Sequence, residues 1–405
     1  MEILENDYAY WLHNVDGIGN TTIAKLLEGG FSCKDVYTAS EKELYKFLAP
    51  KQLRSLMNSR YSWDFQKEKK KLLDKEIRFI SRLDPDFPEK LKNIPDSPFA
   101  IYVKGQLPDP EVPCVAIIGA RMCSDYGRYM ARQFGRGLAM SGVQVISGMA
   151  RGVDGIAQHA AISAGGRSFG VFGCGVDICY PEENRDVYDA LFDNGGAISE
   201  YPPGTVPIPG LFPMRNRIIS GLSDVLLVVE ARQKSGTSIT VDTALEQGRE
   251  VLAIPGRVTD RLSDGCNYLI SQGAGVAISV EDVLDRLWKL KRESKAQIQT
   301  ANEKVLLPQQ ASSGENARLL IDIDGKDQLI HDRSNNEVKS REYNNALEDD
   351  ILGIVDIIPV STSYILEELY KKGRDTTVPA LMTTLMDMTC NGKIAQNGAY
   401  YRRVS

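Results

Sequence analysis

From about residue 99 to 288 the chain alternates short, unbroken apolar runs with segments of helix length. The runs are Val115–Ile118, Val143–Ile146, Phe169–Phe172, Ala197–Ser199, Val225–Val229 and Val251–Ile254. They lack polar alternation, which suits strands buried on both faces, and the stretches between them suit crossover helices. The pattern predicts a doubly wound, Rossmann-like α/β core, with Val225–Val229 after Asp224 as its plainest central strand. Ahead of it, residues 8 to about 80 read as helical, and Val15-Asp16-Gly17-Ile18-Gly19-Asn20 leading into Thr21–Leu27 has the form of a helix-hairpin-helix or SAM-like element. Between 291 and 347 polar residues dominate, apart from Leu319-Leu320-Ile321, which predicts a flexible linker. From 348 helical periodicity returns at Ile351, Ile354, Ile365, Leu366, Leu369, Leu381 and Leu385, and Asn397-Gly398 marks a hairpin near the C-terminus. Helices followed by a hairpin predict a small winged helix. The expected organisation is 1–80 helical, 81–290 Rossmann-like core, 291–347 linker and 348–405 winged helix.

A chain of 405 residues with 42% hydrophobic content can bury two or three such domains. The first residues are acidic, without the basic-then-apolar order of a signal peptide, and no apolar run approaches membrane-spanning length, so the expected location is cytoplasmic. Seven cysteines without a CxxC pair fit reduced thiols, with Cys174 and Cys179 as packing residues. His13, His159 and His331 are scattered, and no metal constellation is visible. The formal charge of −6 counts against general affinity for nucleic acid, yet net charge does not report clustering. Arg128, Arg132 and Arg136 stand at i, i+4 and i+8, which would line one helix face, either functional or merely solvated.

The chemistry concentrates at strand ends. Gly119-Ala120-Arg121, Ser147-Gly148-Met149-Ala150-Arg151-Gly152-Val153-Asp154 and Phe212-Pro213-Met214-Arg215-Asn216-Arg217 each follow or adjoin an apolar run. The ends of parallel strands converge, so these segments can build one pocket from backbone N–H groups and guanidinium forks, suited to phosphate. A dinucleotide fingerprint would need glycines where Arg121 stands, and the Gly-Lys-Ser/Thr of an ATP-binding loop is absent. Neither cofactor is expected. Arg121 reads as a ligand group, with helix capping or pairing to Asp154 as the alternative. Asp154 and Asp177 read as caps or orienters of arginines rather than catalytic acids. His159, within Ile156-Ala157-Gln158-His159-Ala160-Ala161-Ile162, reads as a core histidine. Ser235-Gly236-Thr237-Ser238 opens a helix and either binds an anion or caps.

Residues 115–280 resemble the core of the DNA-processing protein A family (DprA, also called Smf). The resemblance is carried by Gly119-Ala120-Arg121 with Tyr126-Gly127, by Ser147–Asp154, by Gly173-Cys174-Gly175-Val176-Asp177 with Tyr180-Pro181, and by Phe212–Ile219, Ser235-Gly236-Thr237 and Ile254-Pro255-Gly256. It implies a non-enzymatic, single-stranded DNA-binding mediator that protects incoming strands in natural transformation and helps load the RecA recombinase, without a cofactor. It further implies that Gly119, Ala120, Arg121, Ser147, Gly148, Arg151, Arg215, Asn216, Arg217, Ser235, Gly236 and Thr237 form the DNA site, with Phe212 stacking a base. Arg215 and Arg217 could instead hold the loop through carbonyls. Homodimers are implied near Gly265–Ile270, with Leu269 and Ile270 exposed. Three departures stand out: Ala120 where relatives often have serine or threonine, Glu182 where lysine is frequent, and apolar residues around Ile208, Leu211 and Met214 where relatives are more basic. Each lost cation removes a phosphate contact, and the expectation is weaker, more salt-sensitive or cooperativity-dependent binding than a basic relative would show. The competing reading is a nucleotide sensor or phosphoribohydrolase-like enzyme on the same pocket, whose glycine-rich phosphate loop is only partly echoed at Ser235-Gly236-Thr237.

Overall fold

The computed structural model describes residues 3–290, 347–355, 360–374, 376–397 and 400–403. The chain forms two compact units, within 1–309 and 310–405. The residues expected to form the linker, 291–346, lie outside the described ones.

Unit one is built on a nine-stranded sheet: β1 (Ile77–Ser81), β2 (Ala100–Gly105), β3 (Cys114–Ile118), β4 (Gln144–Ser147), β5 (Ser168–Phe172), β6 (Gly195–Ser199), β7 (Val225–Val228), β8 (Glu250–Ala253) and β9 (Gly275–Val276). The spatial order is β1-β2-β6-β5-β4-β3-β7-β8-β9. The seven strands from β6 to β9 run parallel, and β2 and then β1 add antiparallel at one edge. All six predicted runs are strands. β3 to β7 are buried along their whole length, which is what unbroken apolar runs require when helices cover both faces. β1, β2 and β9 are additions to the expected set.

Helices α1 (Glu5–His13), α2 (Asn20–Glu28), α3 (Cys33–Thr38), α4 (Glu41–Leu44), α5 (Pro50–Ser62) and α6 (Phe65–Asp74) precede the sheet and surround the buried side chains of Trp11, Leu12, Ile23, Leu26 and Leu56. The crossovers are α8 (Asp125–Met140), α9 (Val153–Ser163), α10 (Arg185–Leu191), α11 (Leu211–Leu222), α12 (Gly236–Glu246) and α13 (Asp264–Ser271), while the short α7 (Glu89–Lys92) lies between β1 and β2. The sheet's two faces carry separate apolar layers, one around Ile118, Phe169 and Ile218, the other around Val115, Phe134 and Val145. Unit two holds helical turns at 347–352, α14 (Thr362–Lys371), α15 (Val378–Cys390) and the antiparallel strands β10 (Val360–Ser361), β11 (Ile394–Asn397) and β12 (Tyr400–Arg403) around Leu347, Ile365, Leu381 and Tyr401. Gly398 of the expected hairpin turn lies outside the described residues.

The N-terminal helices are tied to the core at one polar node. Glu200, just past β6, accepts from Asn20 Nδ2 (2.6 Å) and from Arg217 Nη2 (2.7 Å), and its carbonyl accepts from His13 Nε2 (3.1 Å). His13 is half-buried, packed against Phe79, Phe99 and Tyr102, and desolvation lowers its pKa from the ordinary 6.5. The folded chain therefore holds His13 neutral at pH values where the unfolded chain protonates it. Its stabilising contribution is complete above about 6.5 and is lost as the pH falls below that value. Urea midpoints at pH 7.5 and 5.5 are expected to show a drop that His13→Gln, which keeps a donor for the Glu200 carbonyl and does not titrate, reduces.

Candidate functional site

The strand order reverses between β3 and β7: the chain winds outward from β3 through β4, β5 and β6, then returns to β7. In open α/β sheets such a switch point leaves a crevice beyond the carboxyl ends of the two strands, because their following loops turn to opposite faces. A groove of about 750 Å³ opens there. Ile118 to Met122 after β3 form its floor, the Pro209–Phe212 loop and Asn216 one wall, and Arg232, Ser235, Gly236 and Thr237 after β7 the other.

The loop after β3 is held by its neighbours. Ala120 N donates to the Glu230 carbonyl (2.7 Å), and the buried Glu230 carboxylate accepts from Ser124 N (2.8 Å) and Ser124 Oγ (2.6 Å). Ser124 in turn caps α8 by accepting from Gly127 N. Gly152, at φ +75°, lets the start of α9 close on this loop: a Cβ there would overlap the carbonyl oxygens of Ala120 and Arg121. Between these anchors Arg121 projects into solvent, and among the described residues it has no ion pair. Pairing of Arg121 with Asp154, the alternative weighed from sequence, does not occur.

Phe212 opens α11. Its ring lies over Gly173, where a Cβ would crowd it, and its other neighbours are the Tyr180 ring, 5.5 Å away and tilted by 35°, and the Arg215 guanidinium, 5.8 Å from its centroid. Tyr180 is 46% exposed, so the pair presents aromatic surface at the groove's edge. Opposite, α12 begins at Ser235 without a side-chain cap: Ser235 Oγ donates back to the Arg232 carbonyl. The first N–H groups of an 11-residue helix are left facing the groove, where a negative charge is favoured. Of the two readings of this segment, capping by the hydroxyl is excluded.

Several expected contacts are corrected by burial. Arg215 lines the groove, but its Nη1 donates to the carbonyls of Gly148 (2.9 Å) and Val171, and its Nε donates to Asn216 Oδ1 (3.1 Å). Burial lowers its pKa to about 10, with Asp154 opposing, so it remains cationic at neutral pH. Asp154 is raised by burial against the pull of Arg215, and it accepts from Gly148 N (3.1 Å), the orienting role expected of it. Arg217 is not in the groove. It donates to the carbonyls of Asp96 and Met214 and pairs with Glu200 and Asp96; burial works against its charge, and the two carboxylates more than offset this. Ser147 is buried, donating to the Ile117 carbonyl. Gly148 is backbone against Arg215 and Asp154. Arg151 faces a neighbouring cleft, paired with Glu183 at 2.5 Å. His159 is exposed rather than a core residue, while its neighbour Gln158 turns inward to bond Met149 N and the Phe169 carbonyl. Leu269 and Ile270 are half-buried against the core instead of exposed. Asp177 pairs with Lys75 and accepts from Gly204 N. Glu182 is held by Arg185.

The structure brings Gly119, Ala120, Arg121, Phe212, Arg215, Asn216, Ser235, Gly236 and Thr237 together. Sequence reasoning missed Arg232, exposed and among the described residues without an ion pair, although its place in the loop after the central strand was a signal. It also missed Glu230, an acid buried at a strand end. Among the described residues no cluster of three or more His, Cys, Asp or Glu could hold a metal, and no helix is long and apolar enough to cross a membrane.

Comparison with known proteins bears on the family. The family model described as DNA recombination-mediator protein A matches residues 78–288. The DNA processing protein DprA of Streptococcus pneumoniae is 42% identical over 205 residues, 51% of this chain and 72% of that protein. Protein Smf of a Synechocystis strain is 33% identical over 294 residues, covering 70% of this chain and 73% of the relative. The X-ray structure of the Streptococcus pneumoniae DprA superposes with a TM-score of 0.62 at 34% identity, covering 70% of this chain and 98% of that one. The resemblance seen in the motifs is borne out: a family model matching residues 78–288 and relatives matched over most of their length establish that this chain belongs to the DNA recombination-mediator protein A family, the DprA/Smf proteins.

Proposed function

We propose that the groove holds single-stranded DNA without reading its sequence, so that the chain acts as a recombination mediator. The observation that carries this reading is the convergence, in one groove, of Arg121 and Arg232, without ion pairs among the described residues, the open start of α12 and the half-buried Phe212 ring. Cations and N–H donors suit phosphates of any sequence, and a ring suits any unstacked base; a duplex keeps its bases stacked and unavailable. Asp154, the carboxylate at the floor, is engaged by Arg215 and Gly148 N–H, which supports binding rather than catalysis.

In the larger reading the chain protects strands taken up in transformation and passes them to RecA, consistent with a family of recombination mediators. Its core would pair through the open β9 edge beside the exposed Tyr268, Val276 and Ile278. The helices and three-stranded sheet of unit two are read as a winged helix, and the α1–α2 hairpin as a helix-hairpin-helix element. The domain reading remains 1–80, 81–290, 291–347 and 348–405, with β1 beginning at Ile77 just ahead of the first boundary. The site is assigned to Gly119, Ala120, Arg121, Phe212, Asn216, Arg232, Ser235, Gly236 and Thr237, with Arg215 shaping the floor. Glu182 and the exposed Ile208 and Met214 place no cations on the rim, which supports weaker binding; because each missing phosphate contact also flattens the salt dependence, the expectation of greater salt sensitivity is corrected.

The test is a fluorescence-anisotropy titration of labelled single- and double-stranded oligonucleotides against the full chain. Single strands are expected to bind more tightly, and Phe212→Ala to weaken them about tenfold, from the ~1–3 kcal/mol that base stacking on an aromatic contributes. Equal affinity for duplex, or an indifferent Phe212→Ala, would count against the groove. Release of free base from nucleoside monophosphates in a parallel assay would move the reading to a hydrolase.

A further inference from the structure

Arg121 lines a second cleft as well as the groove. This cleft, about 400 Å³, lies on the side of the loop facing α8 and α9. Arg128 and Arg132 of α8 form one side, Gly152, Gly155 and His159 its base, and Glu183 and Asp186 the opposite side. Arg128 and Arg132 are exposed and stand one helical turn apart, about 6 Å along the axis, an interval of the order separating successive phosphates in an extended strand. Among the described residues neither has an ion pair. Arg151 pairs with Glu183, but both side chains are largely exposed, and such surface pairs exchange partners at little cost. Among the described residues no Phe, Tyr or Trp lines the cleft.

We propose that this second cleft takes the phosphodiester backbone of the strand after it leaves the groove, with Arg121 as the ridge between the two sites and Arg128 and Arg132 as its phosphate contacts. The inference rests on the groove being a single-strand site. The chemistry of the two clefts differs: the groove offers a phenyl ring and N–H donors, the second cleft guanidinium groups with the His159 imidazole at its base. The strand is therefore gripped by base and phosphate in the first and by phosphate alone in the second. The carboxylates of Glu183 and Asp186 face the arginines and make the cleft a poor trap for a small free anion. A strand already held at Arg121 reaches it at high effective concentration, which a free anion does not. The helix face formed by Arg128 and Arg132 thereby acquires a function rather than a merely solvated role.

The test uses the full chain with oligothymidylates of about 6 and about 20 nucleotides, lengths that bracket a single site. The double variant Arg128→Glu/Arg132→Glu is expected to leave the short oligomer within twofold of wild type. The long one should weaken about tenfold, and its slope of log affinity against log salt should fall by about 1.4, the loss of two single-strand phosphate contacts. Arg136→Glu, one turn further along α8 and outside the cleft, serves as the control and should change neither; far-ultraviolet circular dichroism and a melting curve establish folding. An equal loss on both lengths, no loss on either, or a matching loss from Arg136→Glu would each overturn the second cleft. Failure of the groove itself reads differently: the wild type would not bind the short oligomer at all.

Discussion

Replacing Arg121 with glutamate is expected to lower affinity for a single-stranded oligonucleotide about 100-fold while leaving the melting temperature unchanged. Charge-assisted hydrogen bonds contribute roughly 1.5–3 kcal/mol, reversal adds repulsion from the phosphates, and each 1.4 kcal/mol is about a factor of ten. The fold should not register the change, because Arg121 is exposed and unpaired, and surface substitutions away from structural features stay within about 0.5 kcal/mol. Its charge also opposes that of the buried Arg215, so reversal relieves a repulsion instead of creating one. Anisotropy titrations at two salt concentrations and a thermal melt separate these effects. Binding at wild-type strength in Arg121→Glu would place the DNA site elsewhere on the chain.

Arg215→Met is expected to act in the opposite sense, on stability first. Arg215 is 4% exposed, and its loss leaves the Asp154 carboxylate buried without its cation and the Gly148 and Val171 carbonyls without a donor. Leaving buried acceptors without a donor costs about 1–3 kcal/mol, and more where a buried charge also loses its nearest compensating cation. Adding Asp154→Asn should recover part of this, at least ~1 kcal/mol, because the uncompensated charge is removed while the carbonyls remain unmet. Denaturant midpoints of the two variants measure both terms. A loss below ~1 kcal/mol for the single variant would mean that this arginine does not hold the groove's floor.

The two arginines show where the sequence was legible and where it was not. Unbroken apolar runs of strand length, bounded by turn residues and separated by helix-length stretches, mark strands covered on both faces, so β3 to β8 could be read directly, and with them the class of the fold. β1 escaped because Arg78 interrupts its apolar run and it follows a lysine-rich helix end. Glycines and arginines at strand ends pointed to the crevice, yet an arginine's letter does not say whether its guanidinium meets water or carbonyls. Arg121 and Arg217 differ only in what the fold places beside them, and the partners of Arg217, Asp96 and Glu200, are distant in sequence. His159 was misjudged because small residues on both sides conceal the phase of α9, which turns Gln158 inward. The place where strand order reverses was likewise hidden, since succession along the chain does not give adjacency in the sheet.

The node at Glu200 reaches further than the joint it forms. Helix α11 carries Phe212 and Arg215 into the groove at its first turn, and less than one turn later Arg217 is clamped to Glu200 and Asp96. Glu200 is gripped in the same place by Asn20 and His13. The N-terminal helices thus work as a splint on the helix that carries the base-stacking ring, and a core trimmed of its first 75 residues would be a looser hand on the same strand.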